Sequence, residues 1–431
     1  MKNVLWIISL LEVLIGFSQS RGIPDANHEI VQNGLLNFGV KLNSILLENN
    51  TENENILFSP FNLYTSLALV HLGSNGTTRD TISNLLGIPE TNLPKNLHEV
   101  LRNFSSEMQT IPLVPQYNRK ENGTTVTGGV KMYDLKLSNG IFVQNKYKDK
   151  LKKDYVEDVK QYHNGDIFDV DFVIKREETI DTINKYVSNK TENRIPQLFK
   201  KPLSQDTLML ITSTLYYKAF WPKKFERELT KTDTFYTDKG NITVQMMNGQ
   251  LEGTAYANIS SLGVEVINLP FYDQIFSMFI VMPYENQPLE KFLSNLTAAQ
   301  MHQIIDRKTY HWYYVDLKLP KTAFKWSKSV KKQLVQLGLT EGILESPELT
   351  GMIEDCDIKI SEIKHSTDIK IDEDGLEASA FSYEEADLRV AFDRKKKATF
   401  HVNRPFFFFI YNHDVNVVLF FGTVFDPNGK E

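Results

Sequence analysis

The residues of this sequence that could carry out catalysis are scattered and form no familiar catalytic motif. The sequence has no Gly-rich phosphate-binding loop, no His-Glu-x-x-His zinc helix and no Gly-x-Ser-x-Gly nucleophile turn. Its nine His are spread along the chain. Because a Ser-His-Asp triad can be assembled from distant positions, this absence is not decisive. The pattern nonetheless favours a protein that is not an enzyme and that needs neither a metal nor a cofactor.

The most informative segment runs from Asp372 to Ala398. It lies between a strand-like stretch and the apolar C-terminal strands, yet it has neither a helical nor a core pattern, and compact domains rarely keep loops of this length without a function. Its first half is acidic and its second half is basic. Between Gly375 and Ser382, mostly small residues occupy alternate positions, as in a strand. A segment that suits both an exposed loop and a buried strand is a candidate conformational switch.

The densest basic run of the sequence lies in the second half of this segment. It consists of Arg394, Lys395, Lys396 and Lys397. Three interpretations of the run stay open: a solvated loop, a contact for a sulfated polyanion, and a site of proteolytic processing.

Helical elements are predicted in the first quarter of the chain. Apolar residues at helical spacing indicate a helix over His28–Leu47, and Ser59 followed by Pro60 is typical of a helix start. Further helices are predicted at Thr78–Leu86 and Leu97–Met108. Residues 110–130 have several Pro and Gly and no periodicity, so we expect a flexible surface insertion there.

From Leu137 onward the pattern favours strands, interrupted by helices. The predicted strands are Gly140–Gln144, Leu208–Lys218, Gly263–Leu269, Ile275–Pro283, Tyr310–Leu319, Ile358–Ile371, Phe406–Tyr411 and Val415–Val424, and the predicted helices are Glu177–Asn189, Leu289–Ser294 and Ser327–Leu337. The last two strands are apolar without alternation and are expected to be buried on both faces. No linker divides the chain, so the sequence predicts one α+β domain over residues 21–431.

Composition excludes several classes of protein. The 431 residues include 48 Lys plus Arg and 54 Asp plus Glu, a net charge of −6 that argues against binding to nucleic acid. The single Cys excludes an intramolecular disulfide and a Cys-based zinc cluster. This residue, Cys356, lies between Asp355 and Asp357, which disfavour a thiolate, so we expect it to be a bystander and the protein to be a monomer.

The N-terminus predicts export from the cell. Residues 1–20 have Lys2, an apolar run from Val4 to Phe17 and small polar residues after it, as in a secretory signal peptide; a buried N-terminal helix is the alternative. No later segment has the roughly 20 apolar residues that span a membrane. We therefore expect an extracellular protein. Eight Asn-x-Ser/Thr sequons are candidates for glycosylation, at Asn49, Asn75, Asn103, Asn122, Asn189, Asn241, Asn258 and Asn295.

Several stretches in a shared order carry a resemblance to a known family. They include Asn55-Ile-Leu-Phe-Ser-Pro60, Ser138-Asn-Gly-Ile-Phe-Val-Gln144, Tyr216-Tyr-Lys-Ala-Phe-Trp221, Leu319-Pro-Lys321 and Asn403-Arg-Pro-Phe406. With these motifs the chain resembles a serpin over essentially the whole mature sequence. The resemblance implies three β-sheets with about eight or nine helices, a metastable native state, and an exposed reactive-centre loop at 372–398.

The resemblance also implies an activity: inhibition of trypsin-like serine proteases by a suicide mechanism. The target protease cleaves the loop, forms an acyl-enzyme and is carried across the molecule as the loop inserts into the large sheet as a new strand. Counting seventeen residues inclusively from Glu373 ends at Arg389, so the scissile bond is predicted between Arg389 and Val390. Arg394 is a second candidate if the loop is registered from its C-terminal end. An Arg suits the carboxylate in the specificity pocket of trypsin.

The loop hinge departs from the family pattern, which usually reads Glu-Glu-Gly-Thr-Glu-Ala-Ala-Ala. Here the hinge residues include Glu373, Gly375, Leu376, Glu377, Ala378, Ser379 and Ala380. Leu376 replaces a small hydroxyl residue, and overpacking on insertion costs about 1 to 3 kcal/mol. Glu384 is also one of the alternate loop residues whose side chains would face inward after insertion, where an unpaired carboxylate is costly. A non-inhibitory serpin that acts as a carrier, storage or interaction protein is therefore the alternative.

A final expectation concerns the cluster that controls sheet opening in this family, usually a Ser, an Asn and a His. The matching positions are Asn62, Ser213 and His365, with the Ser and the Asn exchanged. Both side chains supply donors and acceptors, so the exchange can preserve a buried network. We expect the three residues to lie together beneath the large sheet, the alternative being independent changes at the two positions.

Overall fold

The computed structural model describes residues 26–88, 94–111, 113–115, 119–121, 124–126, 129–354, 358–376 and 396–429. The α-helices are α1 (Ala26–Glu48), α2 (Pro60–Gly73), α3 (Gly76–Leu85), α4 (Pro94–Gln109), α5 (Lys153–His163), α6 (Arg176–Lys190), α7 (Leu289–Ser294), α8 (Ala298–Ile305), α9 (Lys331–Leu337) and α10 (Glu341–Glu345). The short strands are β1 (Ile56–Phe58), β2 (Leu113–Pro115), β3 (Arg119–Glu121), β4 (Thr124–Val126), β5 (Gly129–Lys131), β7 (Asp166–Val170) and β16 (Gly375–Leu376). The longer strands are β6 (Tyr133–Gln144), β8 (Met209–Phe220), β9 (Lys231–Thr237), β10 (Gly240–Ile259), β11 (Val264–Pro270), β12 (Phe276–Pro283), β13 (His311–Pro320), β14 (Thr322–Ser329), β15 (Ile360–Asp372), β17 (Lys397–His401), β18 (Phe406–Asn412) and β19 (Val417–Val424).

Helix α2 begins where the sequence predicts. The side chain of Ser59 accepts a hydrogen bond from the backbone N–H of Asn62 at 3.1 Å, and Pro60 occupies the first helical position. Nearly every residue of α2 is buried, because the helix runs between the two large sheets and the other N-terminal helices. This central position makes α2 the support against which the sheets pack.

One large sheet has six strands in the order β14-β15-β16-β8-β6-β7. Strands β8 and β15 pair directly and in parallel over most of their length, whereas β6 and β8 are antiparallel. The two-residue strand β16 lies between β15 and β8 at one end only. This sheet therefore has one end at which its two central strands have already separated.

The other large sheet has the order β1-β19-β18-β12-β11-β10-β13-β17, with β9 paired to β10. The long strand β10 joins two parts of this sheet: residues 240–246 pair with β9 and residues 255–259 pair with β11. With the six-stranded sheet, these two parts give the three-sheet, mixed α+β fold that the sequence predicts. The described residues contain ten α-helices, of which α7 and α10 have only six and five residues.

The C-terminal strands form the centre of the core, as predicted. Every residue of β18 and β19 is buried, and the rings of Phe279 and Phe409 stack with centroids 4.7 Å apart. Strand β1, from the beginning of the chain, pairs with β19 near its end, and Ile56 lies opposite Thr423. Within the described residues, no helix is long and apolar enough to cross a membrane.

One local prediction was wrong. Residues 327–329 belong to β14 and not to a helix, because β14 pairs residue by residue with β15 from Thr322 opposite Ile371 to Ser329 opposite Lys364. The segment 110–130, which the sequence predicts to be a flexible surface insertion, contains two short ribbons, β2 with β5 and β3 with β4. In both segments pairing with a distant or neighbouring strand outweighs the weak local pattern.

Candidate functional site

The candidate site is the end of the six-stranded sheet at which the predicted reactive-centre loop begins. Strands β8 and β15 pair directly from Met209 opposite Ile360 to Tyr216 opposite Asp368. Beyond this point β16 lies between them, paired to β15 on one side and to β8 on the other. The first residues of the loop therefore already occupy the gap between the two strands.

This arrangement corrects the predicted loop boundary. The sequence places Asp372 at the start of an exposed acidic segment, but Asp372, Glu373 and Asp374 are 4%, 3% and 6% exposed. Gly375 is buried as well. The expectation failed because each carboxylate has a cationic partner that the sequence pattern does not reveal. At the other end, residues 397 and 398 belong to β17 and not to the loop.

Gly375 is required at its position for two reasons. Its φ angle is +132°, a conformation that residues with a side chain rarely adopt. A Cβ at this position would lie 2.5 Å from the carbonyl oxygen of Ala219 and 2.7 Å from the Cα of Phe220. Only glycine allows β16 to approach β8 this closely.

The carboxylate of Glu373 is held by an ion pair. Its oxygens accept hydrogen bonds from the Lys321 ammonium at 2.8 Å and from the Thr230 hydroxyl at 2.8 Å. Burial alone would raise the pKa of Glu373, but the bonds from Lys321 and Thr230 outweigh burial, so its pKa lies below the ordinary value. Glu373 is therefore charged at neutral pH and fixes the first residue of the hinge.

The next carboxylate, Asp374, is held by cations from the segment that follows β8. Its oxygens contact the Lys224 ammonium at 2.9 Å and the guanidinium of Arg227. Burial opposes ionisation here too, but Lys224 and Arg227 prevail and lower the pKa of Asp374. The same segment binds the hinge backbone, because the Trp221 indole donates to the carbonyl of Asp372 at 3.0 Å.

These partners were missed by the sequence reasoning. Lys224, Arg227 and Thr230 follow the Tyr216–Trp221 motif closely, and a basic and hydroxyl-bearing stretch next to a family motif was the only available signal. Together they attach the start of the loop to the connection between β8 and β9.

The structure brings together the three residues of the expected sheet-opening cluster. The Asn62 side-chain amide donates to the Ser213 hydroxyl at 2.9 Å and to the Thr214 carbonyl at 2.9 Å. The His365 Nδ1 lies 3.0 Å from both the hydroxyl and the carbonyl oxygen of Ser213. All three side chains are fully buried, between α2 and the six-stranded sheet.

The hydrogen bonds of His365 define its protonation. The backbone N–H of Ser59 donates to Nε2 at 2.9 Å, so Nε2 is an acceptor and the proton lies on Nδ1, which donates to Ser213. Burial lowers the pKa of His365 to about 3, although the bond to the Ser213 carbonyl acts in the opposite direction. The imidazole is therefore neutral at physiological pH.

Several predicted residues lie outside the described part of the chain. They are the signal peptide 1–20, Asn122, Cys356, the hinge residues Glu377, Ala378, Ser379 and Ala380, the bond Arg389–Val390, Arg394 and Lys395. Of the basic run, Lys396 and Lys397 are described and both are exposed. The carbonyl of Lys396 accepts a hydrogen bond from the backbone of Tyr314 at 2.9 Å, which ties the end of the loop to β13.

The described sequons lie mostly on the surface. Asn103 is half-buried on α4, and the other described sequon residues, Asn49, Asn75, Asn189, Asn241, Asn258 and Asn295, are exposed. An exposed Asn is what glycosylation requires.

Comparison with known proteins places this geometry in a family. The sequence model described as Serpin (serine protease inhibitor) matches residues 33–427. The chain belongs to the serpin family. Leukocyte elastase inhibitor from Xenopus tropicalis is 29% identical over 386 residues, which cover 88% of this chain and 95% of that protein. Human Serpin B3 is 26% identical with the same coverage of 88% and 95%.

Solved structures agree on the fold. Thyroxine-binding globulin in complex with thyroxine has a TM-score of 0.78 at 20% identity, and the alignment covers 92% of this chain and 99% of that one. The relatives thus include an inhibitor by name, and one protein of the same fold was solved with thyroxine bound. Membership alone therefore leaves inhibition and carriage as the two functions to be separated.

Proposed function

We propose that this protein is a secreted inhibitor of trypsin-like serine proteases that acts by cleavage and insertion of its reactive-centre loop. The observation that carries the proposal is the position of β16 between β15 and β8. Insertion of the loop would only lengthen a strand that has already begun to form. Serpin membership and the predicted Arg389–Val390 bond point to the same activity.

Cleavage supplies the covalent step. The hydroxyl of the protease serine attacks the carbonyl carbon of Arg389, the amide bond to Val390 breaks, and the new amine of Val390 leaves with the proton that the protease histidine transfers. The protease is then joined to Arg389 by an ester. Hydrolysis of this ester releases the protease, whereas fast insertion of the loop prevents it.

Insertion replaces one kind of strand pairing with another. Strands β8 and β15 are parallel to each other, whereas β16 is antiparallel to both. A lengthened β16 would exchange one parallel interface for two antiparallel ones, which have better hydrogen-bond geometry. This exchange, together with the extra strand, would supply the driving force for insertion.

The register of β16 supports Arg389 as the reactive residue. Leu376 lies opposite Ala219, and continuing this antiparallel register brings Ala386 opposite Met209, the first residue of β8. Arg389 would then lie just beyond the end of the sheet, where an attached protease has room. Arg394 would leave a longer unpaired tail between the strand and the protease, so Arg389 is favoured.

The same register identifies a weakness of the inserted strand. Glu384 would lie opposite Ile211, which is 1% exposed and faces the core. A carboxylate placed there is costly unless it finds a partner. We therefore expect part of the inhibitor to be cleaved without trapping the protease, and Glu384→Ala to increase the trapped fraction.

The deciding experiment mixes the protein with trypsin and looks for a complex that survives SDS. We expect the wild-type chain to form it, Arg389→Ala to abolish it and Arg394→Ala, the matched control, to retain it. Cleavage only after Arg394, or cleavage after Arg389 without any complex, would contradict the proposal. Adding dextran sulfate to the same reaction tests a polyanion contact at Arg394, Lys395, Lys396 and Lys397, which should appear as faster complex formation.

Secretion and glycosylation are part of the proposal. The pattern of residues 1–20 and the exposure of most described sequons support it. Expression in a eukaryotic cell line should release a chain that begins after Ser18 or Ser20, and digestion with an N-glycosidase should reduce its apparent mass. A variant without residues 2–20 is the control and should stay in the cell.

Carriage of a small ligand is the second candidate. A cleft of about 370 Å³ lies between α1, α8 and the β18–β19 turn, and its lining mixes Leu36, Ile305 and Val418 with the polar Gln32 and His302. A carrier would bind an apolar probe such as anilinonaphthalene sulfonate in this cleft, with loss of binding in Leu36→Arg, and would form no complex with trypsin.

A further inference from the structure

A second, larger cavity lies beside the six-stranded sheet and has no part in the mechanism above. Its volume is about 1180 Å³, and its walls come from the connection 195–201 after α6, from β14 and β15, and from the turn between β9 and β10. Strand β15 is one of the two strands that insertion must separate. A molecule bound in this cavity would therefore touch a moving part of the protein.

Charge in the cavity is incompletely balanced. Three lysines of the lining have carboxylate partners: Lys325 with Asp368 at 3.7 Å, Lys239 with Glu52 at 3.8 Å, and Lys328 with Glu54. Three other lysines of the lining, Lys200, Lys201 and Lys364, have no ion pair in the part of the chain that the structure describes. The lining carboxylates Asp238 and Asp426 belong to the turn after β9 and to the C-terminal segment.

Lys364 is the most constrained of these cations. Its ammonium lies 3.3 Å from the carbonyl oxygen of Ser327 and 5.5 Å from the centre of the Phe199 ring. An ammonium has three N–H donors, so, among the described residues, two remain for other acceptors. Burial lowers the pKa of Lys364, while the Glu362 carboxylate acts in the opposite direction. The ammonium of Lys364 is therefore partly removed from water, and a bound anion would compensate for the lost interactions with water.

Phe199 provides a fixed aromatic surface next to this charge. The Asn184 side chain on α6 accepts from the backbone N–H groups of Leu198 and Phe199 at 2.8 and 3.0 Å, and it donates to the carbonyl of Phe199 at 2.9 Å. Phe199 is thereby attached to α6, whereas Lys364 belongs to β15. A ligand that contacts both side chains would bridge α6 to β15.

We propose that this cavity binds a small aromatic anion, that is, an aromatic ring with one carboxylate, sulfate or phosphate group. Lys364 donates to the anionic group, Lys200 and Lys201 add positive charge at its entrance, and Phe199 packs against the ring. A bound molecule links the connection after α6 to β15 and slows the separation of β15 from β8. This last step rests on the proposed inhibitory function, whereas binding itself does not.

Binding is tested by calorimetric titration of the full chain with phenyl phosphate and with inorganic phosphate. We expect saturable binding of phenyl phosphate, weakened about tenfold or more in Lys364→Met, because a charge-assisted hydrogen bond is lost. Lys325→Met is the matched control: it lies in the same cavity but is paired with Asp368, and it should change the affinity less than about threefold. Phe199→Leu should weaken phenyl phosphate more than inorganic phosphate. A thermal unfolding curve of each variant verifies that it folds.

Equal affinity of wild type and Lys364→Met for phenyl phosphate would overturn the site, as would equal affinity of the wild type for the two phosphates. The effect on insertion is measured separately, as the rate of complex formation with trypsin, which saturating phenyl phosphate should reduce in the wild type but not in Lys364→Met. An unchanged wild-type rate would overturn the coupling. If phenyl phosphate binds as expected but no trypsin complex forms under any condition, the inhibitory function fails while the binding site stands.

Discussion

His365 and Ser213 lie directly opposite each other on β15 and β8, the two strands that the proposed loop insertion must separate. The imidazole donates to the carbonyl of Ser213 at 3.0 Å, and it accepts from the backbone of Ser59 at the start of α2. One side chain therefore joins β15, β8 and α2. Any separation of β8 from β15 at this level breaks the contact, so its strength contributes to the barrier to sheet opening.

The Asn62 side chain donates a hydrogen bond to Ser213 from α2, and removal of this side chain should destabilise the protein. In Asn62→Ala the Ser213 hydroxyl and the Thr214 carbonyl lose a donor, which is expected to lower the free energy of unfolding by about 1 to 3 kcal/mol in urea denaturation. Asn43→Ala is the control, because Asn43 is also buried but neither of its amide atoms has a partner within the described residues. Equal losses in the two variants would show that the network adds nothing beyond packing.

Gly375 is predicted to control whether β16 stays in the sheet. A methyl group in Gly375→Ala would contact the Ala219 carbonyl and impose strain at a φ of +132°, with an expected loss of about 1 to 3 kcal/mol. Faster amide hydrogen exchange at Leu376 would report the release of β16. Gly240→Ala separates the two causes, because Gly240 has a φ of +121° but no atom within 4 Å of the added carbon. A Gly375→Ala variant that loses no more stability than Gly240→Ala would contradict the close approach.

Asp273 is expected to make stability fall as pH rises. Burial raises its pKa to about 7, against the hydrogen bonds from the backbone of Phe276 and Ile275. Between about pH 4 and pH 7 the folded protein keeps a proton that the unfolded chain has lost, so unfolding becomes easier at up to about 1.4 kcal/mol per pH unit and levels off above pH 7. Asp273→Asn keeps the acceptor for both amides, and the difference between the two stability profiles isolates the carboxyl. Parallel profiles would contradict the raised pKa.

Acid is expected to destabilise a chain of buried histidines. His71 lies 3.4 Å from His98, whose other ring nitrogen lies 2.9 Å from His163. Burial lowers the pKa of His71 to about 4 and holds the pKa of His98 well below its ordinary value. Below about pH 6.5 the histidines of the unfolded chain bind protons, whereas the same histidines in the folded protein stay neutral. The free energy of unfolding therefore decreases as the pH is lowered.

A variant comparison checks this expectation. His98→Gln should lose less stability than the wild type between pH 6.5 and pH 4, measured by urea denaturation at each pH. His311→Gln, at an exposed position, is the control and should follow the wild type. If His98→Gln follows the wild type as well, the histidine chain does not contribute to acid sensitivity.

The parts of the fold that follow from local sequence were predictable. The start of α2 depends on Ser59 and Pro60, which act on their immediate neighbours, and the burial of β18 and β19 follows from continuous apolar runs. The loop was predicted because its segment lacks any such pattern. The hinge glycine Gly375 was predicted by resemblance, and the close approach of Gly375 to Ala219 gives a physical reason for a glycine there.

The parts that depend on distant partners were not predictable. The ion pair of Lys224 with Asp374 joins residues far apart in the chain, and nothing near either one indicates the other. The acidic hinge was therefore expected to face water. The His71–His98–His163 chain was likewise hidden, because each histidine is isolated in its own helix. Contacts of this kind arise only when the sheets and helices are assembled.

The pairing of β1 with β19 has a consequence for how the chain is made. Ile56 lies opposite Thr423, and the Asn55 side chain accepts from the backbone of Phe425 at 2.8 Å. The ribosome must therefore synthesise every residue from β1 to β19 before β1 can pair with β19. Until then the four consecutive phenylalanines of β18 have no completed core to enter, and such exposed apolar surface is what chaperones bind and what aggregates. The sheet that contains β1 can consequently be completed only after β19 has been synthesised.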